Sequence, residues 1–288
     1  MQKIKSPFSI LGLSFNLFKR EHQQIFFPFI IVIFINLFVL EILYFSPRSP
    51  LSIFFAPIIS HIWGEGYLHY PMNILLLPKL FYYTQIVIFL FISSILTVLV
   101  VDMVAAINND KTVSFKTSLR KTLPGYVYLV LYASLSLLFF KFFDSAYGLL
   151  LQRAMKIHST TGIFSIIKKS VYYGAPYAQF LFSILVTACL IYVPILIILE
   201  KKKFLAALIG NFKILFGSFW LTFSLVLIPT FFYLPIILLR DNFQSLAEMT
   251  CPEIQVLIIF LGVVVTTGIN IFIVTSATTY YLYKKENS

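Results

Sequence analysis

His61, Glu65 and His69 recur four residues apart in HIWGEGYLH, a spacing that would place two imidazoles and a carboxylate on one helix face as ligands for a zinc-like ion. Gly64 and Gly66 interrupt that stretch, and each weakens a helix by about 1 kcal/mol relative to alanine. A zinc site also needs closed coordination and ordered groups behind its ligands. The expected reading is therefore a polar outer loop, and no metal or other cofactor is expected. Asp102 is a different kind of candidate. It ends an apolar run and is the acid nearest the interior of an apolar segment, where carboxylates serve proton or ion pathways. It also lies within about three helical turns of Lys111. Pairing with Lys111, or with an arginine of the basic stretch that follows, is the simpler expectation, and Glu41 and Glu200 have the same explanation at other segment ends.

Gln85 and Asn270 fall inside apolar segments, together with Asn36, Gln179, Ser93, Ser94, Thr187, Thr266 and Thr267. Such side chains hydrogen-bond between helices in lipid, at about 1 kcal/mol or less each, or they line a polar path. Without charged groups in register across several segments, packing is the expected role. Asp102, Gln85 and Asn270 remain the candidate functional polar groups. No phosphate-binding loop, dinucleotide fingerprint, GxSxG or HExxH pattern occurs, so an enzyme is not expected. The two cysteines, Cys189 and Cys251, fall at different depths and without metal-ligand spacing, so neither a disulfide nor a metal role is expected.

The elements that must position these groups are six apolar stretches, at about 25–45, 80–101, 125–143, 177–199, 219–239 and 253–283. About 20 residues of helix cross the hydrocarbon layer, and each stretch is of that order. Composition agrees: 59% of residues are hydrophobic and only 11% charged, against about 25% charged in soluble domains. The expectation is an all-α integral membrane protein, one polytopic domain over residues 1–288. The net charge of +11 comes from short basic clusters beside apolar spans, which fit anionic lipid headgroups and not nucleic acid. The first twenty residues lack the apolar core and small-residue cleavage site of a removable signal peptide, so the first span is expected to act as an uncleaved anchor.

Six spans put both termini on one side. More of the 22 Lys and Arg residues fall on that side, in groups such as Lys19–Arg20, Lys116–Lys121, Lys201–Lys203 and Lys284–Lys285, with Lys3 and Lys5, than on the other. Basic short loops stay inside, so both termini are expected to be cytoplasmic in a cell (inner) membrane. Each odd-numbered span follows a short basic amphipathic stretch. The apolar stripes are Phe8, Leu11, Phe15, Phe18; then Phe115, Leu119, Leu123; then Phe204, Leu208, Phe212, Leu215. Apolar residues at helical spacing beside lysines suit the headgroup zone. The expectation is three hairpins, each introduced by an amphipathic elbow helix on the cytoplasmic face, as an internal repeat. The outer connections at 47–79 and 144–176 are long and partly apolar, expected to lie in the interface as short helices or to dip back under cover of protein. Pro28, Pro194, Pro229 and Pro235 are expected to kink their spans.

The run VPILIILEKKKFLAALIGNFKILFGSFWLTFSLVLI (193–228) combines a proline-bearing span, an acid at the inner face, an elbow and an aromatic start to the next span. With NNDKTVSFKTSLRKTLPGYVYLVL before the third span, it resembles the membrane domain associated with glycerophosphoryl diester phosphodiesterases and related six-span families. Those enzymes carry a separate catalytic barrel with metal-binding acids, to which no stretch here corresponds. The resemblance therefore implies membrane architecture and not hydrolase activity. The leading functional expectation is a structural or accessory membrane protein touching lipids, a partner membrane protein or a second copy of itself. The rival is a permease subunit for a hydrophobic or lipid-like substrate. Exporter-type permeases share six spans and a basic first elbow resembling FNLFKRE, but carry one elbow where three are expected here.

Overall fold

In lipid every backbone N–H and C=O must be satisfied within the protein, which leaves long apolar segments little choice but helix. The computed structural model describes residues 6–109, 111, 113–156 and 163–287, and every element of these is helical. Lys3, Lys5 and the middle of the second outer connection (157–162) lie outside the described residues. Six of the helical segments are long and apolar enough to cross a membrane: Gln24–Tyr44, Met72–Asn108, Phe115–Met155, Lys168–Leu199, Phe219–Asp241 and Ile254–Glu286. They contain or closely overlap the six stretches expected from sequence.

The first helix, α1 (Pro7–Tyr44), begins with Ser6, whose hydroxyl accepts from the Ser9 N–H, and with Pro7, which has no N–H to lose. α2 (Ser52–Trp63) stops at Gly64, whose φ of 99° is open to glycine and strained for other residues. The second span is α3 (Met72–Ile88), a π turn at Phe89–Ser93, and α4 (Ser94–Asn108). Short α5 (Phe115–Thr122) and a 3-10 turn at Leu123–Gly125 precede α6 (Tyr126–Met155). α7 (Ile163–Leu190) breaks at Ile191 before α8 (Tyr192–Leu199). α9 (Phe204–Phe216) leads to α10 (Phe219–Thr230), a 3-10 turn at Phe231–Tyr233, and α11 (Leu234–Asp241); α12 (Phe243–Met249) and α13 (Ile254–Glu286) complete the order.

α13 is the central helix. It packs against α1, α3, α4, α10 and α11, and meets the fourth span chiefly through α8. α6 and α7 pack along one another on the far side of the bundle, with α6 reaching α4 and α7 reaching α10. The largest buried cluster runs along the bundle from Phe180, Ile184 and Ile237 to Tyr192, Leu196, Ala207, Ala277 and Tyr281 near one end of the molecule. Both termini share that end, because Ile10 and Leu11 near the start of α1 pack with Leu225 beside Tyr280 near the end of α13.

Two expectations are corrected. The first amphipathic stretch is not a separate element: α1 runs unbroken from Pro7 through Tyr44, Pro28 included. Along its stripe Leu11 and Phe18 are buried while Phe8 and Phe15 are exposed. The stripe on α9 is likewise split. Phe204, Leu208 and Leu215 face the core, but Phe212 joins a second apolar face with Leu205, Ile209 and Phe216 that is exposed. The second outer connection is mostly helix, since α6 runs on to Met155 and α7 starts at Ile163. The Tyr147 hydroxyl donates to the Val171 carbonyl at 2.7 Å and ties the two extensions together.

Candidate functional site

Irregular turns, two of them beside prolines, interrupt three spans, and residues at each break line a hollow. A π turn, which inserts one residue into the helical ladder, occupies Phe89–Ser93 in the second span. The fourth span breaks at Ile191, three residues before Pro194, whose ring cannot donate to the preceding turn. The fifth breaks at Phe231–Tyr233, between Pro229 and Pro235. The backbone freed at Ile191 is recaptured by Asn211 of α9, which is fully buried. Its Oδ1 accepts the Tyr192 N–H at 3.1 Å, and its Nδ2 donates to the Cys189 carbonyl at 2.7 Å. The Tyr192 hydroxyl pairs with Thr222 at 2.7 Å, pinning α8 to α10.

Around α13 lie three chambers. One of about 570 Å³ is lined from α1, α3, α4, α11 and α13 by groups that include Asn36, Gln85, Ser93, Tyr233, Arg240 and Gln255. A second, about 480 Å³, lies among α7, α10, α11 and α13, with Gln179, Ser183, Thr187 and Thr230 on its wall. The third, about 210 Å³, is more apolar, with Val98, Val101, Phe140, Ile195 and Val274. Asn270 lines all three, and Thr266 lines the first two. A shallower hollow of about 630 Å³ adjoins them between α3, α6 and α7, where Lys141 and Asp144 stand beside Gln85 and Gln179. Volumes of about 300–1,000 Å³ are typical of small-molecule sites.

Depth can be read along α13. A Cβ on Gly217 would stand 3.5 Å from Lys284 Nζ, and one on Gly262 would stand 3.6 Å from an Arg240 Nη. The stretch of α13 from Gly262 to Lys284 rises about 33 Å, against about 30 Å for a hydrocarbon layer. Arg240 thus lies toward the end of α13 away from Lys284, and Asn270 lies about 12 Å from Gly262 in the direction of Lys284. Toward the termini the lining passes Ile273 and Val274 and gives way to the large buried cluster. The hollow is thus charged at the end away from the termini, polar to mid-depth, and closed by apolar packing at the other end.

All nine polar span residues named from sequence line these chambers or the shallow hollow: Asn36, Gln85, Ser93, Ser94, Gln179, Thr187, Thr266, Thr267 and Asn270. Packing describes part of this set. The Gln85 carboxamide donates to Asn36 Oδ1 across α3 and α1, and Gln179 donates to Asp144 at 3.2 Å. Asn270, Thr266 and Thr187 have no hydrogen-bond partner among the described residues, and Asn270 is exposed within the hollow. Helix–helix bonding of the kind expected is thus made by Gln85, Asn36 and Gln179, and not by Asn270.

Asp102 lies elsewhere, toward the termini. It accepts from the Ser118 hydroxyl at 2.7 Å and pairs with Lys121 at 3.5 Å. The partners are thus neither Lys111 nor an arginine, because α5 folds back against α4 and brings its Ser118–Lys121 face to the carboxylate. Near the same end, Glu200 receives the Lys202 ammonium at 2.5 Å, the Tyr281 hydroxyl and Lys285 at 3.5 Å. The Lys202 hydrogen bond, then that of Tyr281, holds its carboxyl below the usual range. His61, Glu65 and His69 are all exposed, on α2, a 3-10 turn and the residue after it. Among the described residues no three His, Cys, Asp or Glu gather closely enough to hold an ion.

Sequence reasoning passed over Asn211, Tyr192, Tyr233 and the lining role of Arg240. The prolines at 194, 229 and 235 were the available signal, since each marks backbone that some side chain must satisfy. The chain matches no protein-family model, no curated protein and no solved structure.

Proposed function

We propose that this chain is a non-enzymatic protein of the cell (inner) membrane, both termini cytoplasmic, that admits a small amphiphilic or lipid-like molecule into its central hollow from the outer side, as a permease or permease subunit does. The observation that carries the reading is Asn270. A carboxamide without a partner at mid-depth, shared by three chambers, suits a ligand better than helix packing. Helix breaks beside the hollow support it, because substrate sites in transporters are commonly built at interrupted spans near mid-membrane. The hollow is closed toward the termini, which is the form expected of an outward-facing state. α5 and α9 serve as elbows before the third and fifth spans, in keeping with the resemblance to the phosphodiesterase-associated membrane domain.

The accessory role keeps one observation in its favour. Leu205, Ile209, Phe212 and Phe216 expose an apolar face on α9 next to Lys213, which suits the lipid headgroup zone or a partner membrane helix. Proteoliposomes decide between the two readings. Movement of a short-chain fluorescent lipid between leaflets is expected, and Asn270→Trp, which fills the junction of the chambers, is expected to abolish it. No movement by the wild-type protein, or equal movement by the variant, refutes the permease reading. Co-purification of a stoichiometric membrane partner with an inert hollow favours the accessory role.

A further inference from the structure

Among the chamber's lining residues one charge stands alone. Arg240 is the sole Asp, Glu, Lys, Arg or His on the 570 Å³ chamber, and it also lines the 480 Å³ chamber, there beside Asp241. Among the described residues no carboxylate forms an ion pair with it. Its one marked contact is the Tyr233 ring, 6.0 Å from the guanidinium carbon, at the break between α10 and α11. Guanidinium groups at the edge of the hydrocarbon layer are costly unless they meet an anion or water. A second, independent feature lies in the same chamber. Gln255 is 6% exposed, and its Oε1 is buried without a hydrogen-bond partner. Unmet buried acceptors are rare in folded proteins and mark places where a further group is missing.

Resting on the reading of the hollow as a ligand site, we propose that this chamber takes an amphiphile with an anionic head, a phosphate or carboxylate. Arg240 holds the head, and the unpaired Gln255 carboxamide stands in the wall of the same chamber. The alkyl chain runs past Asn270 into the apolar chamber of Val98, Val101, Phe140 and Ile195. The order of the lining dictates this pose. The charge stands at the end away from the termini, carboxamides and hydroxyls follow, and aliphatic side chains lie nearest the termini, which is the polarity profile of a single-chain anionic lipid. Arg forks onto two anionic oxygens at once, which a neutral head cannot reciprocate.

The test is a titration of the full chain, in a neutral detergent, followed by native mass spectrometry. The probes are dodecyl phosphate, dodecylglycerol and inorganic phosphate. Dodecyl phosphate is expected to bind at least about tenfold more tightly than dodecylglycerol, the scale of a hydrogen bond to a charged group. Arg240→Gln is expected to bring the two within about twofold, leaving dodecylglycerol unchanged, with Arg240→Lys intermediate. On the wild-type protein, modification of Arg240 by phenylglyoxal should be slowed by dodecyl phosphate and not by dodecylglycerol. Equal wild-type affinities, an unchanged preference in Arg240→Gln, equal modification rates, or inorganic phosphate binding as tightly as dodecyl phosphate would each overturn the inference. Asn270→Trp separates the two levels. If it leaves both dodecyl ligands bound, the reading of the hollow itself fails; if it expels both while the Arg240 results go the wrong way, only the anionic head is wrong.

Discussion

Replacing Asn211 with alanine tests the architecture where it is most exposed to failure. Its side chain bridges the Tyr192 N–H and the Cys189 carbonyl across the helix break at Ile191, in a place with no water access. Alanine leaves a buried donor and a buried acceptor unmet. Each costs about 1–3 kcal/mol, so the pair sets an upper range of about 2–6 kcal/mol. Interhelical hydrogen bonds in membranes measure about 0.6 kcal/mol on average and about 1.7 at most, because unfolded spans find other partners. Here the orphaned groups belong to the backbone at a fixed break and cannot rotate away, so about 2–3 kcal/mol is expected. At roughly 2–4 °C per kcal/mol for chains approaching this length, the midpoint of thermal unfolding in detergent should fall by roughly 4–12 °C. Asn242→Ala is the control. That asparagine is exposed and bonds only its own helix, at the Leu238 carbonyl, so a change below about 0.5 kcal/mol is expected. Fluorescence-detected size exclusion after heating gives both numbers. Equal midpoints for Asn211→Ala and Asn242→Ala would show that the break at Ile191 is not held by α9, and the floor of the hollow would need another support.

Acid should loosen the closed end of the bundle. The Glu200 carboxyl is held below its ordinary value of 4.5, so its stabilising share is complete above that value and is lost as pH falls through the depressed one; thermal midpoints measured down from pH 6 should fall in that acid window for the wild type and less steeply for Glu200→Gln. Ser118→Ala and Asp102→Asn should each cost about 0.5–1.5 kcal/mol, with Lys121→Ala nearly silent because that lysine is exposed; unfolding midpoints that put Lys121→Ala lowest would reverse the assignment. Gly210→Leu should destabilise by about 1–3 kcal/mol, since a Cβ there already stands 3.0 Å from Leu196 Cδ1, whereas a Cβ at Gly12 meets nothing within 4 Å and Gly12→Leu should be tolerated. For orientation, an impermeant maleimide applied to intact cells should label Thr250→Cys in a cysteine-free background and spare Lys202→Cys; the opposite pattern refutes cytoplasmic termini.

Much of the fold was legible because its main cause is one-dimensional. Lipid demands long apolar runs, and runs are visible in a string, so the centres of all six spans could be placed from sequence, although the helices run up to 12 residues further at their ends. The extensions at either side were less legible. α6 continues to Met155 through Lys141, Asp144 and Arg153, charges that end the apolar run without ending the helix. The continuity of α1 through residues 19–24 escaped for a related reason: a basic cluster marks a membrane face, and a helix can cross that face without turning.

The hollow was half legible, and the missing half is geometric. Thr266, Asn270, Ile273 and Val274 fall on one face of α13 by spacing alone, so their common direction could be read. Whether that face meets a neighbour or a void depends on how far the fourth span stands from α13, and that distance is set by breaks in other helices. Where Tyr192 to Leu199 closes in, Ile195 and Ile197 pack with Ile273 and Ala277 in one buried cluster. Above the break at Ile191, α7 diverges, and Thr187, Ser183 and Gln179 line space in place of side chains. One proline, at 194, thus helps to decide whether polar residues some distance along the chain are glue or lining. Its consequence is visible only once Asn211, from a different helix, is seen holding the broken backbone open.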